Sequence, residues 1–239
     1  MGGKMGRMSA VSLDLDGTLV QYERSPGEVL QACFDSLELN QPFAVEDYYA
    51  RFDEFARTCE TMDELRAECF AVLATENGYD RQLGRDVATV FSEERDQSNV
   101  TLLPAAARVL DDLSRKHELA IVTNGTRDAQ RRKIDAVELD QWVDTVIVAG
   151  HDTPPKPDPA PFERAVESLG TPPGTTVHVG DSLETDVAGA IAAGLDSVWI
   201  SGGADPRGVK PTYVVPSIED LLALRWLDAS DHGDTEMDV

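Results

Sequence analysis

Four aspartates lie in two short motifs, each at a point where the chain leaves a predicted strand. Asp14 and Asp16 occur in the sequence VSLDLDGTL, and Asp181 and Asp186 occur in GDSLETD. Four carboxylates gathered in one place repel each other at neutral pH unless a proton or a cation lies between them. An oxygen-rich site of this kind is what Mg²⁺ prefers. The two motifs therefore predict a Mg²⁺ site, provided that the fold brings them together.

A positive charge and a hydroxyl accompany these acids. Thr123 ends another predicted strand, and Lys156 lies in the proline-rich sequence PPKPDP. The lysine supplies a compact positive charge and the threonine a hydrogen-bond donor. Backbone N–H groups after Asp14 and near Gly125 can line the oxygens of an anion. A phosphoryl group is the natural ligand of such a site.

The spacing of Asp14 and Asp16 suits two different chemical roles. A carboxylate at Asp14 can attack phosphorus and form an aspartyl-phosphate, which splits one difficult displacement into two easier ones. Two residues further along, Asp16 can protonate the leaving oxygen and then activate water in the second step. Gly17 permits a sharp departure from the strand. We therefore expect covalent catalysis at this strand end.

Strands and helices alternate in the parts of the chain that carry these motifs. The predicted strands are 10–15, 119–122, 145–149, 176–179, 197–200 and 213–215. The predicted helices between and after them are 105–117, 127–136, 159–169, 184–193 and 218–227. Such alternation indicates a parallel sheet with helices on both faces. The predicted fold class is therefore α/β with a doubly wound parallel sheet, whose site lies at the carboxyl ends of the strands.

A different pattern occupies the chain between the first two strands. The spacing of apolar residues there is helical, and the predicted helices are 26–37, 45–59, 62–76 and 83–96. We therefore expect a core domain made of residues 1–22 and 98–227, with a helical insert at 23–97. Residues 228–239 are acidic and poor in large apolar side chains, so we expect a disordered tail.

The composition limits the kinds of partner. The 239 residues include 44 acidic residues against 21 Lys and Arg, which gives a formal net charge of −23. Surfaces that bind nucleic acid are basic, so nucleic acid is not an expected partner. No run approaches the roughly 20 apolar residues of a membrane span, and the first eight residues contain no apolar h-region, so we do not expect them to act as a secretory signal. We expect a cytoplasmic protein, and its acid-rich, lysine-poor composition resembles that of halophilic proteins in high salt.

Taken together and in this order, the motifs resemble those of the haloacid dehalogenase (HAD) superfamily. The sequence DLDGTL resembles its first motif, Thr123 its second, Lys156 in KPDP its third, and GDSLETD its fourth. The resemblance implies a Rossmann-like core with an inserted α-helical cap of the type called C1, between the first and second motifs. Only 32 residues lie between Thr123 and Lys156, which leaves no room for a cap at that point.

The resemblance also implies roles for residues, in three overlapping groups. The catalytic residues would be Asp14 as nucleophile, Asp16 as general acid and base, and Lys156. The groups that bind the substrate phosphate would be Thr123, Asn124 and Lys156. The Mg²⁺ ligands would be Asp14, Asp16 through its backbone carbonyl, Asp181 and Asp186, the last through water or else as a partner of Lys156.

Further residues resemble one branch of the superfamily. The sequence IVTNG, the pair Gln130 and Lys133, and GDSLETD look like N-acylneuraminate phosphatases and pyrimidine nucleotidases, with phosphoglycolate phosphatases as neighbours. This branch implies a Mg²⁺-dependent phosphatase that hydrolyses a small phosphorylated metabolite, as a monomer or a homodimer. The alternatives are a phosphoglucomutase-like phosphotransferase, a 2-haloacid dehalogenase that needs no Mg²⁺ and usually lacks the second Asp, and a binding module with an inactive pocket.

Several other polar residues have two interpretations. In the insert, Arg51, Arg57 and Arg66 could contact substrate, although ion pairs on helix surfaces are the more common role. We expect His178 to be a core histidine and not a catalyst. His151 could approach the site from its loop.

Overall fold

The computed structural model describes residues 8–150, 153–205 and 208–224. Eight strands occur within them: β1 (Ala10–Leu13), β2 (Val20–Tyr22), β3 (Val100–Leu102), β4 (Glu118–Asn124), β5 (Thr145–Ala149), β6 (Thr176–Gly180), β7 (Asp196–Ile200) and β8 (Tyr213–Val215). Six of these strands form one parallel sheet in the order β5-β4-β1-β6-β7-β8. Strands β2 and β3 pair with each other in the antiparallel direction.

The register of the sheet decides which residues meet at its carboxyl edge. Leu13, the last residue of β1, pairs with Ile121 of β4 and with Val179 of β6. Because the three strands run in the same direction, the residues that follow these positions emerge side by side. Asp14 follows β1 and is therefore central at this edge.

Helices cover both faces of the sheet. The helices are α1 (Pro26–Ser36), α2 (Val45–Ala56), α3 (Met62–Glu76), α4 (Arg81–Glu94), α5 (Ala106–Leu113), α6 (Arg127–Ala136), α7 (Ala160–Leu169) and α8 (Ala188–Ala192). Along β4, Leu119 and Ile121 pack into a cluster with α5 and α6, whereas Ala120 and Val122 pack with α7 and α8. Side chains that alternate between two buried faces are typical of a doubly wound sheet. The predicted α/β class with a Rossmann-like parallel core is confirmed.

Helices α1–α4 pack around a hydrophobic core of their own, and we refer to residues 23–97 as the helical insert. At its centre the ring of Phe70 lies 5.1 Å from that of Tyr48 and 5.4 Å from that of Phe91. Ala129 of α6 belongs to the same cluster, so the insert contacts the sheet-bearing part of the chain at this helix. The chain enters the insert after β2 and returns through β3, whose pairing keeps the two crossings adjacent.

The elements differ from the sequence predictions at a few points. Strands β2 and β3 were not predicted, because three residues are too few for an alternating pattern to stand out. The predicted helix 184–193 is a π-helical turn, Leu183–Val187, followed by α8. Residues Ile218–Ala223 form a 3₁₀ helix, whereas the tail 228–239 and His151 lie outside the described residues. No helix in the described ranges is both long and apolar enough to cross a membrane.

Candidate active site

Lys156 joins the two acidic motifs at the carboxyl edge of the sheet. Its ammonium donates hydrogen bonds to Asp14 Oδ1 at 2.7 Å, to Asp186 Oδ1 at 2.6 Å and to the carbonyl oxygen of Val122 at 2.8 Å. The residue is only 4% exposed. Burial acts to lower the pKa of Lys156, but the charges of Asp14 and Asp186 outweigh it and raise that pKa. The lysine is therefore a fixed cation, with all three of its N–H donors used.

Asn124 holds the loop that carries this lysine. The Asn124 side chain donates from Nδ2 to the backbone carbonyl of Lys156 at 3.0 Å and accepts from the backbone N–H of Lys156 at 2.8 Å. The bond between Lys156 and Pro157 is cis. The side-chain amide of Asn124 thus fixes the lysine, which is a contact that the sequence did not indicate.

Three carboxylates lie close enough to share a cation. Single oxygens of Asp14, Asp181 and Asp186 lie within 4.8 Å of one another. Burial raises the pKa of Asp14 to about 7, with a further contribution from the charge of Asp186. Partial burial raises the pKa of Asp181 to about 6, again with help from Asp186. Burial and the neighbouring carboxylate both disfavour the ionised forms of these acids, and a bound cation would offset that cost, so the oxygen donors present fit Mg²⁺.

Asp186 sits among more partners than the other acids. Its Oδ1 accepts from Lys156, its Oδ2 accepts from the backbone N–H of Ser182 at 3.0 Å, and Nε2 of His178 lies 3.5 Å from Oδ1. Burial acts to raise the pKa of Asp186, but Lys156 and His178 together hold it well below its usual range. His178 is buried as expected, and its Nδ1 lies 2.9 Å from Ser12 Oγ. Both oxygens of Asp186 are therefore engaged within the protein.

Two glycines allow these acids to approach the backbone. A Cβ on Gly180 would lie 2.3 Å from Asp186 Oδ2, and a Cβ on Gly17 would lie 2.4 Å from Asp181 Oδ2. Gly17 also has a φ of +80°, in the left-handed region that side chains disfavour. Packing against the buried Asp186 therefore requires glycine at position 180, whereas the backbone conformation favours glycine at position 17.

Asp16 is held by a separate pair of residues on α6. Both of its carboxylate oxygens accept from Lys133 Nζ, at 2.8 and 2.7 Å, and Oδ2 also accepts from Gln130 Nε2 at 3.1 Å. Gln130 also donates to Thr123 Oγ1 at 3.1 Å, so it connects Asp16 to the end of β4. The sequence prediction placed neither Gln130 nor Lys133 in the site. Their spacing of three residues on a helix that begins just after β4 is the signal that could have indicated them.

A cavity of about 370 Å³ opens beside Asp16, between the helical insert and the sheet. Its lining is rich in cations and tyrosines, with Asp16 as the single acid among the residues that form it. The cations are Arg66, Arg95 and Lys133, and the tyrosines are Tyr22, Tyr48 and Tyr49. In a chain of net charge −23, a cation-rich cavity is a local exception. It favours an anionic or strongly polar ligand.

Arg66 carries an incompletely paired charge in this cavity. It is 3% exposed, it donates to Ser92 Oγ at 3.1 Å, and its Nε has no hydrogen-bond partner. Its guanidinium lies 5.0 Å from the ring centre of Phe91, while Asp63 approaches no closer than 3.9 Å. By contrast, Arg51 forms ion pairs with Glu54 and Glu76, and Arg57 is exposed. Only the fold distinguishes these three arginines.

Comparison with known proteins agrees with this geometry. The family model of haloacid dehalogenase-like hydrolases matches residues 8–194. The chain is 31% identical to the N-acylneuraminate-9-phosphatase of Rattus norvegicus, over 92% of this chain and 94% of that protein. It is also 31% identical to the pyrimidine 5'-nucleotidase YjjG of Escherichia coli, over 52% of this chain and 56% of that protein.

A solved structure extends the comparison to the fold. The magnesium-bound HAD-hydrolase YfnB from Bacillus subtilis superposes with a TM-score of 0.68 at 25% identity, covering 91% of this chain and 98% of that chain. The matched region contains the strand ends that carry Asp14, Thr123 and Asp181, together with Lys156. The chain therefore belongs to the haloacid dehalogenase-like hydrolase family and is an enzyme of that class.

Proposed function

We propose that this protein is a Mg²⁺-dependent phosphatase that hydrolyses a small phosphomonoester through an aspartyl-phosphate on Asp14. The observation that carries the proposal is the Lys156 ammonium, which bonds to both Asp14 and Asp186 beside Asp181. A buried cation next to a nucleophile suits an anionic substrate, because it offsets the repulsion between carboxylate and phosphate. The names of the rat and Escherichia coli relatives also specify phosphate ester hydrolysis.

The Mg²⁺ ligands in this proposal are Asp14, Asp181 and the backbone carbonyl of Asp16. When bound, Mg²⁺ supplies Lewis-acid stabilisation of the transferring phosphoryl group. Asp186 has both oxygens engaged and therefore acts as the partner that orients Lys156. The sequence left two interpretations of Asp186 open, a metal ligand through water or a partner of Lys156, and the proposal adopts the second.

The chain's own residues carry out both steps. Asp14 attacks phosphorus while Asp16 gives a proton to the departing oxygen, and Asp16 then takes a proton from the water that attacks the aspartyl-phosphate. The Thr123 hydroxyl binds a phosphoryl oxygen, and Lys156, whose three donors are used within the protein, offsets the phosphoryl charge from its place beside Asp14. The presence of Asp16 disfavours a 2-haloacid dehalogenase. A phosphoglucomutase-like phosphotransferase would use the same residues and would differ in how water is excluded from the cavity.

We further propose that the helical insert acts as a cap and selects the leaving group. The cavity is lined from both sides, by Arg66 and Arg95 of the insert and by Lys133 of the core. Burial lowers the pKa of Arg95, and the charge of Arg66 lowers it further, so an anion placed between them would be stabilised. The rat relative is named for an N-acylneuraminate, which is an acid anion. A phosphorylated acid, such as a sugar acid phosphate, is therefore the proposed substrate class.

Metal removal tests the phosphatase proposal. With Mg²⁺, the protein is expected to release inorganic phosphate from p-nitrophenyl phosphate, and excess EDTA should abolish the release until Mg²⁺ is restored. The assay should be run in molar KCl as well as dilute buffer, because we propose that the acidic surface is adapted to high salt. Phosphate release that persists in EDTA would contradict the proposed Mg²⁺ dependence, whereas a dehalogenase would release no phosphate with or without the metal.

Replacement of Arg66 tests the substrate class. Arg66→Met keeps an apolar stem but removes the charge, and should raise the KM for phosphorylated sugar acids by roughly 10- to 100-fold, the equivalent of a charged hydrogen bond. The kcat/KM for p-nitrophenyl phosphate should change by less than about threefold. Arg51→Met is the matched control, since Arg51 pairs with glutamates outside the cavity lining. An equal rise in KM for neutral sugar phosphates would show that no acid group is recognised by Arg66.

A further inference from the structure

The carboxylate of Asp16 stands in an unusual position for a surface acid. Its side chain is 41% exposed at the cavity, yet both of its oxygens are bound by groups that are themselves buried. Exposed ion pairs between flexible side chains contribute little to stability, because both partners must be ordered. Here the buried partner is already ordered by its surroundings. The entropy cost of forming the ion pair is therefore mainly that of ordering the Asp16 side chain.

Lys133 is that ordered partner. Its side chain is 7% exposed, and its ammonium lies 5.2 Å from the ring centre of Tyr22. An ammonium placed in such an environment costs free energy unless it is paired. The contacts with both oxygens of Asp16 provide this pairing. The ion pair therefore fixes the rotamer of Asp16 more strongly than a surface pair would.

Gln130 adds a link from Asp16 to the phosphate side of the site. It lies one helical turn before Lys133 on α6, so both side chains project from the same face. Its Nε2, which has two N–H donors, lies within hydrogen-bond distance of three oxygens: Asp16 Oδ2 at 3.1 Å, Thr123 Oγ1 at 3.1 Å and the carbonyl oxygen of Asn124 at 2.5 Å. Asp16 is thereby tied to the end of β4, on which Thr123 lies.

We propose that Lys133 and Gln130 are positioning residues that hold the Asp16 carboxylate where the leaving oxygen departs. The inference rests on the proposed phosphatase function and adds a role that is separate from substrate recognition. Proton transfer requires the acid within hydrogen-bond reach of the leaving oxygen, and a carboxylate free to rotate in an open cavity meets this condition less often. Lys133 and Gln130 act on the reaction only through Asp16.

The test compares two leaving groups by kcat/KM, which reports steps up to departure of the alcohol. p-Nitrophenolate leaves without a proton, whereas an aliphatic alcohol such as that of a sugar phosphate must be protonated. Lys133→Met should lower kcat/KM for the alkyl phosphate by about 100-fold, toward the low end of general acid contributions, and the loss for p-nitrophenyl phosphate should be at least about tenfold smaller than that. Asp16→Asn should show the same dependence on leaving group.

A double variant separates positioning from a structural role. If Lys133 acts through Asp16, adding Lys133→Met to the Asp16→Asn variant should lower kcat/KM for the alkyl phosphate by less than about a further threefold. The reason is that the effects of substituting two residues that act as a unit do not add. Gln130→Met should show a smaller loss with the same preference for alkyl phosphates. The melting temperature of each variant shows whether it is folded.

Three results would overturn the inference. They are an equal loss on both substrates, a full additional loss in the Asp16→Asn background, and an alkyl phosphate rate that is unchanged or increased in Lys133→Met. A loss confined to KM for acidic substrates would instead make Lys133 a recognition residue. Failure of the phosphatase proposal is distinguishable, because wild-type protein would then release phosphate from neither substrate.

Discussion

Asp14→Asn is expected to reduce phosphate release from p-nitrophenyl phosphate by at least about 10⁴-fold in the presence of Mg²⁺. An amide has nearly the same shape as a carboxylate, so the contact with Lys156 can persist while the nucleophile is lost. The loss should therefore appear in kcat with the protein still folded. Asp14 is the residue that lies at the end of the central strand, next to both β4 and β6.

The control for this variant is Asp53→Asn. Asp53 is an exposed acid of α2, outside the residues that line the cavity, so its replacement should leave kcat unchanged within about twofold. A rapid acid quench of wild-type enzyme during turnover should also show a phosphoryl group on the peptide that contains Asp14. A variant Asp14→Asn with kcat near that of wild type would rule out the aspartyl-phosphate route.

Lys156→Met is expected to impair both stability and activity. Its removal leaves the buried carboxylates of Asp14 and Asp186 without their cation, and breaking a buried pair in this way costs about 3–5 kcal/mol. For a chain of this length that corresponds to a fall in Tm on the order of 10 °C. The kcat/KM should fall by at least about 10³-fold, because the phosphate loses its fixed positive partner.

The stability loss in Lys156→Met should depend on pH. Burial already raises the pKa of Asp14 from 3.8 to about 7 in the metal-free protein, and Lys156 opposes that rise. A carboxyl whose pKa is raised on folding contributes stability at low pH, which is lost as pH rises from its unfolded value to its folded value. Asp186, whose pKa Lys156 helps to hold well below its usual range, is ionised at both pH 4 and pH 8, so a Tm deficit should already appear near pH 4. The deficit should be larger at pH 8, where Asp14 ionises as well. Lys116→Met, which alters an exposed lysine paired with Asp112, should lower Tm by no more than about 2 °C at either pH.

The proposal for Lys156 would be contradicted by a variant that keeps its Tm and loses less than about threefold in kcat/KM. A Tm deficit that is constant between pH 4 and pH 8 would mean that the charge of Asp14 does not contribute to it. The Tm at both pH values is measured on metal-free protein, so that changes in Mg²⁺ affinity do not enter the Tm, and kcat/KM is measured with Mg²⁺.

The sequence predicted the core of the fold because its signal is local. The alternation of apolar strands with helices can be read from short windows, and a parallel sheet then follows from the way such units pack. The same logic placed Asp14, Thr123 and Asp181 near each other, because each ends a parallel strand. Short sequence windows did not reveal β2 and β3, because each of these strands is too short to show an alternating pattern.

The sequence could not predict which contacts the long side chains make. Arg51 and Arg66 both lie in helices of the insert, yet one forms surface ion pairs and the other lines the cavity. The difference depends on which face of each helix the neighbouring elements cover. Likewise, the position of Asn124 predicted a role in binding phosphate, and only the structure shows that its side chain holds the backbone of Lys156.

By itself, the sequence determined that two acidic motifs, a threonine and a lysine end successive parts of an α/β core, which is enough to predict the chemistry. Only the tertiary structure decided that Lys133 and Gln130 hold Asp16, and that Asp14 and Asp186 both pair with Lys156. The physical reason is that the local pattern of strands and helices sets the position of each strand end in the sheet. The partner of a buried charged side chain is set by elements distant in the chain, whose approach no local pattern encodes.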